Sequence, residues 1–125
     1  MALFLTQEWI AELDAAARRV KVPDDVDLTV QQVVEAEDGS RVEFAIRVAD
    51  GRISVLSGCA EAADVTITQD RPTAEQIARG QLSAQTAFME GRLRIGGDLR
   101  GAVDRALDLA RLEDVFAAAR GSTTW

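Results

Sequence analysis

Hydrophobic and polar residues alternate along much of the chain between residues 27 and 95. Apolar side chains recur at every second position in 42–48, in 53–55 and in 65–67, which is the period of a half-buried β-strand. With the segments that begin at Asp27 and at Arg92, these runs predict five strands. Asp38-Gly39 and Asp50-Gly51 separate the first three, and Asp-Gly is a favoured hairpin turn. The pattern therefore predicts three successive antiparallel strands and two later ones.

One polar residue interrupts this pattern. Leu28, Val30 and Val34 share a face of the first predicted strand, and Gln32 stands between them on that same face. Across the other strands, one face is apolar and the other carries Arg, Glu, Ser and Thr. A sheet with this pattern has one wet face and one face covered by helices, so the sequence predicts a two-layer α+β domain.

A period of about 3.6 residues marks the helices. Trp9, Leu13 and Ala17 lie on one face of a first helix over about 6–20, with Thr6 at its start. A second helix is predicted to begin with Thr73 and Gln76 as a capping box and to end at Gly80.

The remaining elements follow from capping and stop signals. Ser83 is predicted to cap a short helix that stops at Gly91, and Asp98 to cap a final long helix. Residues 121–125 are expected to be frayed, with Trp125 either dangling or folded back on the body.

Taken together, these segments resemble the sterol carrier protein type 2 family, a set of small lipid-binding domains. The matching residues are the strand ADVTIT, the block IARGQLSAQTAFMEGRLRI, the GD that follows it, and FAIRVADGRISVLSG upstream. The resemblance covers about 25–116. It implies a twisted five-stranded mixed sheet with helices packed on one face, and a single domain over 1–125.

The resemblance also implies a hydrophobic tunnel between sheet and helices. Apolar residues of both layers would line it, and Met and Phe suit an adaptable pocket. Gln85 stands where the family has a glutamine that faces the ligand, so it would contact a lipid head group; a helix-end glutamine bonded to backbone or solvent is the alternative. The predicted lining residues are Phe44, Ile46, Val55, Ile67, Ile77, Leu82, Gln85, Phe88, Met89, Leu93 and Leu107.

Composition removes several functional classes. The formal net charge of −7 disfavours nucleic acid, which needs clustered Lys and Arg, and limits membrane contact to transient hydrophobic encounters. The chain has no His and no Tyr, so His-based triads, metal sites and proton shuttles are excluded. We expect no cofactor, no metal and no catalytic residue. Cys59 has no His to activate its thiol, and Gly96-Gly97-Asp98 does not match a dinucleotide-binding loop.

The sequence thus favours a non-enzymatic protein that binds and transfers a fatty acid, fatty acyl-CoA or isoprenoid. The alternative is an accessory or scaffold module with a filled core, for example in isoprenoid-quinone or other lipid biosynthesis. An enzyme acting on a hydrophobic substrate is a third, less favoured reading. The short opening MALFL and the lack of an apolar run of about 18 residues predict a cytoplasmic protein. Thirteen Arg against the single Lys21 indicate a bacterial source, and we expect a monomer or a weak homodimer.

Overall fold

The computed structural model describes residues 2–22, 24–25, 27–60, 62–97 and 112–125, without the side chains of 112–114 and 122. The described elements in chain order are β1 (Ala2–Leu3), α1 (Gln7–Ala17), β2 (Leu28–Glu35), β3 (Arg41–Ala49), β4 (Arg52–Ser57), β5 (Val65–Asp70), α2 (Arg71–Ala78), α3 (Ala84–Met89), β6 (Leu93–Gly97), α4 (Leu112–Ala119), a 3₁₀ turn (Arg120–Ser122) and β7 (Thr123–Thr124).

The main sheet has five strands in the order β4-β3-β2-β5-β6. Strands β2 and β5 run parallel, and the other neighbouring pairs run antiparallel. The sheet is therefore mixed, and the predicted α+β class and five-stranded sheet are confirmed. The antiparallel succession of β2, β3 and β4 also agrees with the hydrophobic pattern.

The two predicted hairpin turns differ in geometry. At the β3–β4 turn, Asp50 and Gly51 have φ angles of 54° and 74°, the left-handed pair that a two-residue hairpin requires. At the β2–β3 turn only Gly39 has a positive φ, and the loop is wider, with the Ala36 amide donating to the Ser40 carbonyl. There the Asp38 carboxylate accepts from the Ser40 hydroxyl and amide, which lowers the pKa of Asp38.

Helix α1 packs on the inner face of the sheet, above β3 and β4. Its predicted stripe is confirmed, because Trp9, Leu13 and Ala17 are all buried in the main core cluster. Asp14 fixes the helix to the sheet edge, since its Oδ1 accepts from the Val55 amide at 2.9 Å. That bond satisfies a backbone donor on the edge strand, which would otherwise be open to another chain.

The outer face of the sheet is less wet than its polar pattern predicts. Thr29, Gln31 and Val33 point outward from β2 but are buried. The connection from β4 to β5 crosses this face, and Gln31 holds it: its Nε2 donates to the Gly58 carbonyl and its Oε1 accepts from the Ala60 amide. The crossover satisfies the Gln31 amide and buries the centre of the outer face.

The C-terminal tail is ordered against the N-terminus, so the expectation of fraying is wrong. Strand β7 pairs in parallel with β1, and the Trp9 indole donates to Thr123 Oγ1 at 3.1 Å. The Trp125 ring packs 5.1 Å from Phe4 and carries the Arg79 guanidinium 4.8 Å above its centroid. These partners are more than 40 residues away in sequence, so the short tail gives no local signal of them.

The start of α2 also differs from the prediction. Asp70 is the N-cap residue, because its Oδ1 accepts from the Thr73 amide at 2.9 Å, whereas Thr73 lies inside the helix and is buried. Gln76 accepts instead from Arg92, at 2.7 Å. The predicted stop at Gly80 and the Ser83 cap of α3 are confirmed, while the predicted Asp98 cap lies outside the described residues.

Candidate functional site

The inner face of the sheet offers two regions for an apolar site. We call the inner-face residues of β3 and β4 beneath α1 the α1 half. The inner-face residues of β5 and β6, together with α2 and α3 beside them, form the α3 half. The predicted lining residues fall into both, and the two halves differ in how far those residues are buried.

In the α1 half, the predicted lining is packed against the protein's own side chains. Phe44, Ile46 and Val55 are 2%, 0% and 4% exposed and belong to one core cluster with Trp9 and Leu13. The Trp9 ring meets Phe44 edge-on at 5.6 Å and stacks on Phe116 at 6.5 Å. Aromatic contacts of this kind stabilise a close-packed core, so these three residues lie in a filled region.

In the α3 half, the predicted lining is incompletely covered. Ile67, Ile77 and Leu82 are half-buried, and Leu93 is buried. Phe88 and Met89 of α3 are exposed at 51% and 77%. The predicted lining of this half thus ranges from buried on the sheet to exposed on α3. Leu107 lies outside the described residues.

Gln85, the predicted head-group contact, lies in the first turn of α3 and is exposed. Ser83 sets the entry of that helix, because its Oγ accepts from the Thr86 amide at 3.1 Å. The side chain of Gln85 is therefore at the surface, and its role toward a ligand stays a prediction.

A different pair of amides lies on the inner face itself. Gln32 is 4% exposed, and its Oε1 accepts from Gln69 Nε2 at 2.9 Å. The Gln69 Oε1 is buried, and no described residue donates a hydrogen bond to it. Gln32 interrupts the apolar pattern of its strand, but the predicted lining residues include neither Gln32 nor Gln69. Gln69 continues the inner-face series after Val65 and Ile67, so the period-2 pattern contained that signal too.

A surface depression of about 480 Å³ lies on the outer face, away from the predicted lining. Arg47, Ala49, Asp50, Arg52 and Ser54 line it. Arg47 donates to Thr29 Oγ1 at 3.1 Å. Four of these five residues are charged or polar, and none is among the predicted lining residues, so we do not assign the apolar site to it.

The described residues offer little for catalysis. The Cys59 thiol donates to Glu43 Oε2 at 3.1 Å, and this hydrogen bond to a carboxylate raises the pKa of the thiol, the opposite of what a nucleophile needs. No cluster of three or more potential metal ligands occurs in the described part of the chain. Among the same residues, no helix has the length and apolarity needed to cross a membrane.

The fold places the chain among the α+β domains of known sterol carrier structures. A crystal structure of sterol carrier protein 2 superposes with a TM-score of 0.73, at 17% identity over 94% of this chain and 97% of that one. A solution structure of palmitated sterol carrier protein 2-like 2 from Aedes aegypti gives 0.65, at 22% identity over 86% and 94%. At such identities the likeness establishes the fold.

Sequence comparison establishes the family of the chain. The model of the SCP-2 sterol transfer family matches residues 10–105, and the chain belongs to that family. A stretch of 68 residues is 31% identical to sterol carrier protein 2 of Bos taurus; it is 54% of this chain but only 12% of the bovine protein. The family match spans all the predicted lining residues except Leu107.

Proposed function

We propose that the protein binds a single hydrophobic chain, such as that of a fatty acid, fatty acyl-CoA or isoprenoid, in the α3 half, and that it carries the chain without transforming it. Membership of the SCP-2 sterol transfer family supports lipid binding and transfer. The observation that carries the location is the incomplete burial of Ile67, Ile77 and Leu82 beside the exposed Phe88 and Met89.

Hydrophobic burial supplies the driving force for such binding. Each methylene removed from water contributes ~0.8 kcal/mol, so ten would give roughly 8 kcal/mol before the costs of ordering the ligand are subtracted. In this proposal the α1 half serves as a fixed wall, because Phe44, Ile46 and Val55 already pack against α1. In this proposal the part that moves to admit the ligand is α3, a helix of six residues.

The protein acts without a cofactor or metal in this proposal, and as a cytoplasmic monomer or weak homodimer. The absence of His and Tyr and the raised pKa of Cys59 support a binding role over an enzymatic one. The negative net charge supports hydrophobic and transient contact with membranes over lasting electrostatic attachment.

A second candidate function is an interaction module, in which Phe88 and Met89 dock on another protein. Their exposure favours it, since exposed apolar patches mark interfaces as well as ligand sites. In that case the inner face would be filled and no lipid would be carried.

Native mass spectrometry of protein purified without detergent separates the two candidates. We expect a stoichiometric adduct in the mass range of a lipid, identified by solvent extraction, or an adduct that forms on addition of palmitoyl-CoA. Protein that stays bare and gains no thermal stability from palmitoyl-CoA or an isoprenoid would refute the lipid proposal.

A further inference from the structure

The amide pair of Gln32 and Gln69 is an unusual feature of an otherwise apolar surface. Gln32 is paired in register with Phe44 on β3 and with Ile67 on β5. In register with Gln69 stand Val34 on β2 and Leu93 on β6. Both amides therefore project from the inner face beside hydrocarbon side chains; Gln32 is buried, and Gln69, next to the last residue of β5, is half-buried.

The pair satisfies only part of its own hydrogen-bonding capacity. One bond of 2.9 Å joins Gln69 Nε2 to Gln32 Oε1, and it leaves the buried Gln69 Oε1 without a donor among the described residues. Turning both amides about would reverse that bond and still leave the pair one carbonyl oxygen and one amide nitrogen to offer. A buried acceptor without a donor destabilises the protein, so a ligand that donates to it gains affinity.

The neighbouring outward-facing glutamine provides an internal comparison. Gln31 is equally buried, at 4% exposed, but both ends of its amide are bonded to the backbone of Gly58 and Ala60. The two adjacent glutamines of β2, Gln31 and Gln32, thus differ in the partners of their side-chain hydrogen bonds. Gln31 holds the crossover in place, whereas the inner pair holds no other segment that the hydrogen bonds reveal.

The chemistry of the pair selects among head groups. A hydroxyl both donates and accepts, so it can donate to the free carbonyl oxygen while accepting from the amide nitrogen. An ionised carboxylate has no donor and would find no cation among the residues in register with the pair. An ether or an ester has no donor either.

We propose that the Gln32–Gln69 pair is a polar subsite of the lipid-binding region and takes the hydroxyl group of a long-chain alcohol. This inference rests on the proposed function, because it needs an apolar ligand on the inner face. It adds the ligand class: a hydrophobic chain that ends in, or carries, a hydroxyl group.

Binding of two isomeric probes tests the subsite. 1-Decanol and 1-methoxynonane have the same atoms, but only the alcohol donates a hydrogen bond. We would measure both dissociation constants by calorimetry for the wild type and for Gln32→Leu/Gln69→Leu, which removes both amides at once and leaves no unpaired partner. The ratio of alcohol to ether affinity should fall about tenfold in the double variant, the loss of roughly one buried hydrogen bond.

Two controls keep the test decisive. Gln31→Leu should lower thermal stability, because it unties the crossover, and should leave the alcohol-to-ether ratio unchanged. Gln69→Met, close in length to glutamine, serves if the double variant does not fold, and it should lower the ratio in the same direction.

The outcomes separate the inference from the proposed function. If both probes bind and the ratio is the same in wild type and glutamine variants, the subsite is refuted and lipid binding stands. If neither probe nor palmitoyl-CoA binds the wild type, both proposals are wrong.

Discussion

The two halves of the inner face use similar apolar side chains but pack them differently. In the α1 half, Trp9 contacts Phe44 and Phe116, and the strand residues beneath it are almost fully buried. In the α3 half, Phe88 is half exposed and Ile67 is only half-buried. The same kind of sequence pattern thus produces a filled core in one place and an incompletely covered apolar surface in the other.

Among the described residues, the two halves also differ in the helices beside them. An 11-residue helix, tied to the sheet edge by Asp14 and to the tail by Trp9, covers the α1 half. Of the described helices, two shorter ones of eight and six residues lie beside the α3 half. Large rings fill space efficiently, so we infer that the α1 half carries the stability and leaves the α3 half for binding.

The largest effect should come from removing the central ring of the α1 half. Trp9→Ala should destabilise the protein by about 3–5 kcal/mol, because it opens a cavity beside the three rings that Trp9 contacts, those of Phe4, Phe44 and Phe116. Phe88→Ala is the matched change in the α3 half and should cost about 0.5 kcal/mol or less, as expected for an exposed position. Urea unfolding measures both, and equal losses would erase the proposed difference between the halves.

The hydrogen bond between Trp9 and the tail should have the next largest effect. Thr123→Val removes the acceptor and leaves the buried indole N–H unpaired, which should cost about 1–3 kcal/mol. Thr124→Val, at the exposed neighbouring position, is the control and should be close to neutral. A neutral Thr123→Val in thermal unfolding would show that the tail does not brace the α1 half.

Two apolar residues with nearly equal exposure should differ in their effect on the affinity for palmitoyl-CoA. Phe88 in the α3 half is 51% exposed and Leu56 on the outer face is 53% exposed. Phe88→Ala should weaken palmitoyl-CoA binding roughly tenfold, about 1.4 kcal/mol, because the ring would lose its contact with the chain. Leu56→Ala should leave binding unchanged, and equal effects in calorimetry would place the ligand elsewhere.

The smallest effect concerns the Asp70 cap of α2. The hydrogen bond from Thr73, and after it the nearby Arg92, lower the pKa of Asp70 below its ordinary value. Its stabilising contribution is therefore complete above about pH 4, the usual unfolded value, and is lost as the pH falls through the lower folded pKa.

Substitution tests that cap directly. Asp70→Ala should cost about 1 kcal/mol at pH 7, and the difference from the wild type should shrink as the pH falls through the acid range. A constant difference between pH 7 and pH 2 in thermal unfolding would contradict the capping role.

Most of the fold could be predicted from local sequence patterns. Alternation over 42–48 and 53–55, the Asp50-Gly51 turn and the Ser83 cap depend on neighbours in sequence, and the structure agrees with all of them. The cap of α2 is Asp70, three residues before the predicted Thr73, and both residue types are favourable helix caps.

The features that the sequence did not predict depend on contacts between segments far apart in the chain. The pairing of β1 with β7 and the burial of Gln31 beneath the crossover join segments that share no local signal. The site was harder still, because a filled core and a ligand surface require the same apolar positions. Phe44 and Ile67 occupy equivalent places in the pattern, yet one is buried and the other half-buried, a difference that depends on packing between distant segments.

Amide and methyl NMR during titration with palmitoyl-CoA tests the central claim most directly. We expect shift changes centred on Ile67, Leu82, Phe88 and Met89, with little change at Leu13 of α1 or at Ile46 and Val55 beneath it. Changes concentrated in the α1 half, or confined to the outer face, would contradict it.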